Sequence, residues 1–157
     1  MKPIKTERFN IRPFLMKDLD TFMEYRNNES WMLYQDFKGF TKHEYAKMII
    51  HDIPDIKKGL QLAIVDIDSD QVYGDLFLYQ ENESCWLGYT IHPKHARKGY
   101  TYEAILGVIP FLKEQGITLI KASAHPENRA SLNLIMKLGF KEVGLEDNGD
   151  RVFEKNI

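Results

Sequence analysis

Cys85-Trp86-Leu87-Gly88-Tyr89-Thr90-Ile91, the loop His92–Lys98 and the stretch Gly99–Gln115 decide the fold. The first seven residues are apolar enough to form a strand buried on both faces. The last stretch sets Ala104, Ile105, Val108, Ile109 and Leu112 on one stripe of a helix that Gly116 can stop. Pro110 lies inside that helix and is expected to kink it. Ile117–Ala124 again has strand character, so strand, crossover helix and strand make a parallel unit.

On the N-terminal side of this unit, Leu60–Val65 and Val72–Tyr79 flank the turn Asp68-Ser69-Asp70 as a hairpin. Further back, Phe9–Phe14 alternates apolar and polar residues and reads as a short edge strand ending at Pro13. Leu19, Phe22, Met23 and Tyr25 recur at helical spacing between Lys17 and Arg26. Thr41-Lys42-His43-Glu44 has the form of a capping box, opening a second helix that stops around Pro54. On the C-terminal side, a helix from about Arg129 to Leu138 ends at Gly139, and Phe140–Glu146 with Arg151–Lys155 reads as a terminal hairpin around Asn148-Gly149. The order β-α-α-β-β-β-α-β-α-β-β predicts an α/β fold with one mixed sheet, antiparallel in the middle of the chain. No repeat, linker or low-complexity tract interrupts it, so residues 1–157 are expected to form a single domain.

Lys plus Arg is 21 and Asp plus Glu is 23, a formal net charge of −2, without the basic surplus usual in nucleic-acid-binding chains. The single cysteine, Cys85, excludes an internal disulfide and a cysteine-based zinc cluster, and reads as a small buried hydrophobe. His92-x-x-His95 and the other scattered histidines make a poor metal set, so no metal is expected. The longest apolar stretch, Ala104–Leu112, is far shorter than the roughly 20 residues of a membrane-spanning helix. Charges near the N-terminus stand where a secretory signal has its apolar core, so the expected location is cytoplasmic.

Two segments carry chemistry. Arg97-Lys98-Gly99-Tyr100-Thr101 lies between a strand and a helix, where unpaired amides and the positive end of the helix dipole suit a phosphate. Lys94, Arg97 and Lys98 add positive charge, and Gly99 allows backbone to approach an anion closely. Read blandly, the same residues are a solvated basic loop. Asn128-Arg129-Ala130-Ser131 opens the next helix, with Asn128 as N-cap and Ser131 three residues on. Both helices follow strands expected to be neighbours, so both N-termini open at one edge of the sheet, where α/β proteins bind ligands.

The run Leu87–Pro93 through Arg97-Lys98-Gly99-Tyr100-Thr101-Tyr102-Glu103-Ala104 resembles motif A of the GNAT superfamily of N-acetyltransferases. Asn128-x-x-Ser131 followed by Lys137-Leu138-Gly139-Phe140 resembles its motif B. Thr6–Pro13 and Tyr25-Arg26-Asn27 are similar to the RimJ/RimL branch, the ribosomal-protein N-terminal acetyltransferases. The resemblance spans the chain in order. It implies a mostly antiparallel mixed sheet flanked by helices, with a splayed parallel strand pair forming the acetyl-CoA cleft.

By the same resemblance, Arg97, Lys98, Gly99, Tyr100 and Thr101 hold the pyrophosphate. Ile91 and His92 pair with the pantetheine arm, Asn128 contacts the cofactor, and Ser131 is the catalytic candidate near the thioester sulfur. The implied co-substrate is acetyl-CoA. The implied partner is an amine acceptor, a peptide or protein N-terminus or a small amine; a homodimer is left open, and no nucleic acid or membrane partner is expected. The implied reaction is direct transfer without an acetyl-enzyme.

Two departures stand out. Thr101 occupies a position where relatives usually have Gly or Ala, and Trp86 one where RimL-like sequences often have a Glu that serves as base. Glu83, His92 and His125 are the remaining base candidates. Trp31, Tyr34 and Phe37, between the first two helices, are candidates for a substrate mouth or for an aromatic staple. Two rival readings remain: a binding module that keeps the cleft without turnover, and an acetyltransferase of a small amine such as a polyamine.

Overall fold

The computed structural model describes residues 1–157. Its spine is the hairpin expected at the centre of the chain: β3 (Leu60–Asp66) and β4 (Val72–Glu81) pair antiparallel, with Asp66 accepting hydrogen bonds from Ser69 N and Oγ in the turn. β5 (Ser84–Ile91) adds antiparallel to β4. β2 (Phe9–Pro13) lies on the other side of β3, and β1 (Ile4–Lys5) outside it. β2 is therefore an inner strand and not the edge strand its length and Pro13 suggest; two residues of β1 take the edge. β6 (Leu119–Ala124), β7 (Lys141–Leu145) and β8 (Arg151–Asn156) complete an eight-stranded sheet of order β1-β2-β3-β4-β5-β6-β8-β7.

Alternation along β3 sorts the two faces. Leu60, Leu62 and Ile64 point into a core shared with Ala104, Ile105, Val108 and Leu112 of α3 (Tyr100–Glu114). α4 (Arg129–Lys137) adds Leu132 and Ile135 to the same face. Ala63 and Val65 point the other way, against Leu19, Phe22 and Tyr25 of α1 (Leu19–Arg26) and Tyr45 and Ile49 of α2 (Lys42–Ile49). The Thr41 capping box forms as read: Thr41 Oγ1 accepts from Glu44 N at 3.2 Å, and Glu44 accepts from Thr41 N at 3.0 Å.

α3 runs unbroken through Pro110, so the expected kink does not interrupt it. Pro110 and Leu106, whose carbonyl loses its helical donor there, both lie on the exposed side, where water can take that carbonyl. Glu103 fastens α3 to the start of the chain, accepting from Thr6 Oγ1, Arg8 N and Arg8 Nε. Burial pushes its carboxyl up, but these hydrogen bonds outweigh burial and hold it below the ordinary value.

The α1/α2 face is organised around Asp75, which is fully buried and accepts from Tyr25 Oη, from Arg26 Nη2 at 2.6 Å and from Gln61 Nε2 at 2.6 Å. Arg26 lies between the rings of Phe22 and Phe37 and donates also to the Phe37 carbonyl and to Gln35 Oε1. Removing the carboxylate leaves a guanidinium buried without its counter-charge, which costs about 3–5 kcal/mol. Asp75→Ala should therefore lower the unfolding free energy in urea by about that amount; a loss under 1 kcal/mol would show that Arg26 finds another partner.

Candidate active site

β5 and β6 run parallel for three residue pairs, Ser84↔Leu119, Cys85↔Ile120 and Trp86↔Lys121, and then separate. From Leu87 to Ile91, β5 keeps β4 on one side and has no strand on the other. α3 and α4 both begin at this open end, so their N-termini flank the gap, as the order of elements suggested.

On the α3/α4 face the gap widens into a cleft of about 680 Å³. Ile91, Arg97, Lys98, Gly99, Tyr100, Thr101, Asn128 and Ser131, all anticipated from the sequence, line it. Arg129 and Lys137 also line it, and the sequence reading had not assigned them. Arg97, Lys98, Arg129 and Lys137 are the formally charged side chains of this lining, and no carboxylate accompanies them. The backbone amides of Arg97 through Tyr102 donate to no group in the protein, and the first helical bond of α3 runs from Glu103 N to Gly99 O. Gly99 has φ +78°, and a Cβ built there would meet nothing within 4 Å. The loop thus presents free amides, positive charge and bare backbone to one open volume, which fits a pyrophosphate.

His92 is not on the cleft wall. It is buried, accepts from Lys94 N at 3.0 Å to start a short turn, and sets Nε2 3.5 Å from Glu24. His95 does line the cleft, stacked on Tyr73 with centroids 3.6 Å apart. Burial, reinforced by His92 and Lys98, holds its imidazole below the ordinary value.

Asn128 Oδ1 caps α4 by accepting from Ser131 N at 3.2 Å. The Ser131 hydroxyl lies 2.6 Å from Tyr89 Oη, and either can donate. Burial pushes the Tyr89 phenol up to about 12, with Ser131 partly opposing it, so Tyr89 keeps its proton at neutral pH. No local pattern announces this pair, because a tyrosine inside an apolar strand ordinarily reads as core.

The segment after α1 closes the gap from the other side. Trp31 Nε1 donates to the Ile91 carbonyl at 2.8 Å, and Gln35 Nε2 to the Tyr89 carbonyl at 3.1 Å. Thr90 Oγ1 donates to Gln35 Oε1 at 3.0 Å. Gln35 and Tyr89 also border a second cavity of about 380 Å³ on the α1/α2 face, where Phe37, Met48, Ile49, Phe77 and Gly88 line it with Arg26 and Gln61. The two cavities therefore lie side by side at the splayed strand, with Gln35 and Tyr89 in the wall of both. Of the aromatic candidates for a substrate mouth, Trp31 and Tyr34 line the larger cleft and Phe37 the smaller cavity.

Residues 8–141 match the acetyltransferase (GNAT) domain family. The chain belongs to the GNAT acetyltransferase family. It is 27% identical over 152 residues to p20, an uncharacterized N-acetyltransferase of Bacillus licheniformis, covering 92% of this chain and 85% of that protein. Among solved structures, the RimL ribosomal L7/L12 α-N-protein acetyltransferase in complex with coenzyme A superposes with a TM-score of 0.84 at 13% identity, covering 99% of this chain and 98% of that one. The spermidine N-acetyltransferase of Vibrio cholerae in complex with CoA and spermine superposes with a TM-score of 0.80 at 19% identity, covering 95% of each chain. These two likenesses place the fold. A GNAT fold built on this family's sequence makes the chain an N-acetyltransferase, and the rival reading of a binding module without turnover gives way.

None of the base candidates named from the sequence reaches this GNAT cleft. Glu83 sits in the turn at the far end of β5, and His125 lies stacked against Tyr34 with Nδ1 accepting from Glu127 N. Trp86, in the position of the familiar Glu, lies near the ammonium of Lys121. Cys85 is fully buried, and burial pushes its thiol up to about 11. It should resist alkylation by iodoacetamide in the native protein at pH 8 and react stoichiometrically once unfolded in guanidinium. Rapid native labelling would place the thiol at the surface.

Proposed function

We propose that this GNAT enzyme transfers the acetyl group of acetyl-CoA directly to the α-amine of a peptide or protein N-terminus. The observation that carries the reading is the charge content of the two neighbouring cavities. Arg26, Arg97, Lys98, Arg129 and Lys137 are their formally charged side chains, with no Asp or Glu in either lining. Such a lining suits phosphates in the larger cleft. It offers a polyamine no counter-charge and a protonated amine no carboxylate base; the one imidazole of the lining, His95, is stacked on Tyr73 two residues before Arg97.

The amides of Arg97–Tyr102, with Arg97, Lys98, Arg129 and Lys137, would hold the phosphates of acetyl-CoA. Acetyl-CoA supplies the activated acetyl thioester. Ile91 and Asn128 border its path, while His92 holds the turn that aims the loop. Tyr89 and Ser131 keep two hydroxyl protons at the mouth of the gap, the natural donors to a departing thiolate. No activated nucleophile lines either cavity, which supports direct transfer.

The absence of a carboxylate base favours acceptors that lose their proton easily. An α-amine titrates near 7.7–8.0 and a lysine or polyamine amine near 10.4, so roughly one α-amine in ten is already neutral at pH 7. Only the neutral amine attacks. The rate should therefore rise with pH through the acceptor's own ionisation and level off near pH 9, by the same scale. Tyr89, protonated up to about 12, gives no alkaline loss in that range.

Three measurements test this reading. An N-terminal peptide should exceed spermidine in kcat/KM at neutral pH; a better rate on spermidine would overturn the acceptor assignment. Gly99→Val strains a positive-φ position and fills the space left for phosphate, so calorimetry should find coenzyme affinity reduced about tenfold or more. Unchanged affinity would move the phosphates elsewhere. Ser131→Ala should lower kcat about a hundredfold with little change in coenzyme affinity; an undiminished kcat would reduce Ser131 to a helix-cap residue.

A further inference from the structure

The smaller cavity has a shape and a chemistry that the acceptor's amine alone does not require. β4 and β5 pair Phe77 with Gly88, and both face the α1/α2 side. Gly88 removes a side chain from a strand that is otherwise lined by large residues, and this absence opens the space. Its φ is not positive, and a Cβ built there would meet Phe77 Cβ at 3.4 Å, an ordinary contact. Neither backbone strain nor crowding therefore calls for glycine at this position.

The walls around the opening are Phe37, Met48, Ile49 and the Phe77 ring. Met48 and Phe77 are each more than a third exposed and mark the way in from solvent. At the floor, Arg26 is already balanced by Asp75, so the cavity carries no net charge. A free carboxylate, or a second ammonium, would enter without a partner.

We propose that this cavity takes the side chain of the acceptor's first residue, and that it selects a bulky apolar one such as Leu, Met or Phe. Gly88 is the residue that sets its depth. The inference rests on the α-amine reading above and adds the side-chain class to it. The placement follows from adjacency: Gln35 and Tyr89 stand in the wall of both cavities, so an amine held at the splay beside them can carry its α-substituent toward Gly88. The volume, about 380 Å³, admits a large side chain together with the backbone that leads it out past Met48. The peptide form is favoured over a free amino acid because an amide carbonyl brings no charge into a site already neutral.

The test is a peptide series differing only at the first residue, Leu, Met, Phe, Ala and Gly, with spermidine alongside. Wild-type enzyme should prefer the three bulky residues over Gly by about tenfold or more in kcat/KM. Gly88→Val places two methyl groups in the cavity and should collapse that preference toward the small residues, with coenzyme affinity by calorimetry as the control for folding. Gly88→Ala, a smaller change, should shift the preference in the same direction if the valine variant does not fold. Equal rates on Gly- and Leu-first peptides, or a preference that neither variant moves, would overturn the side-chain assignment and leave the α-amine reading standing. Turnover of spermidine with none of any peptide would overturn both.

Discussion

β5 and β6 share three residue pairs and no more. A parallel pair of full length would bury its backbone groups in mutual hydrogen bonds and leave no site. Because pairing stops at Trp86 and Lys121, the far half of β5 has a row of backbone groups without a strand to satisfy them. Side chains of the segment after α1 take two of these carbonyls, through Trp31 and Gln35. The same gap is bordered by two helix N-termini. Everything chemical in the molecule follows from that early divergence.

The same divergence explains why charge is so unevenly placed. On the α1/α2 face, Arg26 and Asp75 neutralise each other in the interior, and the guanidinium is spent on holding Phe37 and Gln35 in position. Arg26 thus works at one remove, fixing the segment that closes the gap. On the α3/α4 face, the cations of the cleft have no acidic neighbours in its lining, and the amides beside them are free. One side of β5 is neutral and mostly apolar; the other is cationic. A single strand, open along half its length, separates them.

Local patterns in the sequence were sufficient for most elements, because each rests on neighbours within a few residues. The Thr41 capping box, the Asp68–Asp70 turn and the strand–loop–helix around Gly99 are of this kind. β1 leaves no pattern, since two residues cannot show a period, and so β2 looks like an edge in the sequence although it is an inner strand. The loop and helix-start residues that line the larger cleft are legible for the same local reason. The junction is not. Gln35 meets Tyr89 across 54 residues, Arg26 meets Asp75 across 49, and Tyr89 meets Ser131 across 42, and no spacing rule links such pairs. One signal of the second cavity is local all the same: a glycine inside an apolar strand marks a place with no side chain to pack, where another group can approach closely. Gly88 is such a glycine, and its missing side chain is the second cavity.

A site furnished with hydroxyl donors and no carboxylate has a direction built into it. On the proposed reading Tyr89 and Ser131 give a proton to the departing sulfur, yet no carboxylate in either lining is placed to take one from an incoming ammonium. The burden of deprotonation then falls on the acceptor itself and on water. An enzyme with a buried Glu at the Trp86 position would lift that burden for any amine, and would lose discrimination by basicity in doing so. Trp86 gives up that reach. On the proposed reading, this chain selects first by how readily the amine sheds its proton, and only then by what the amine carries into the neutral cavity beside it.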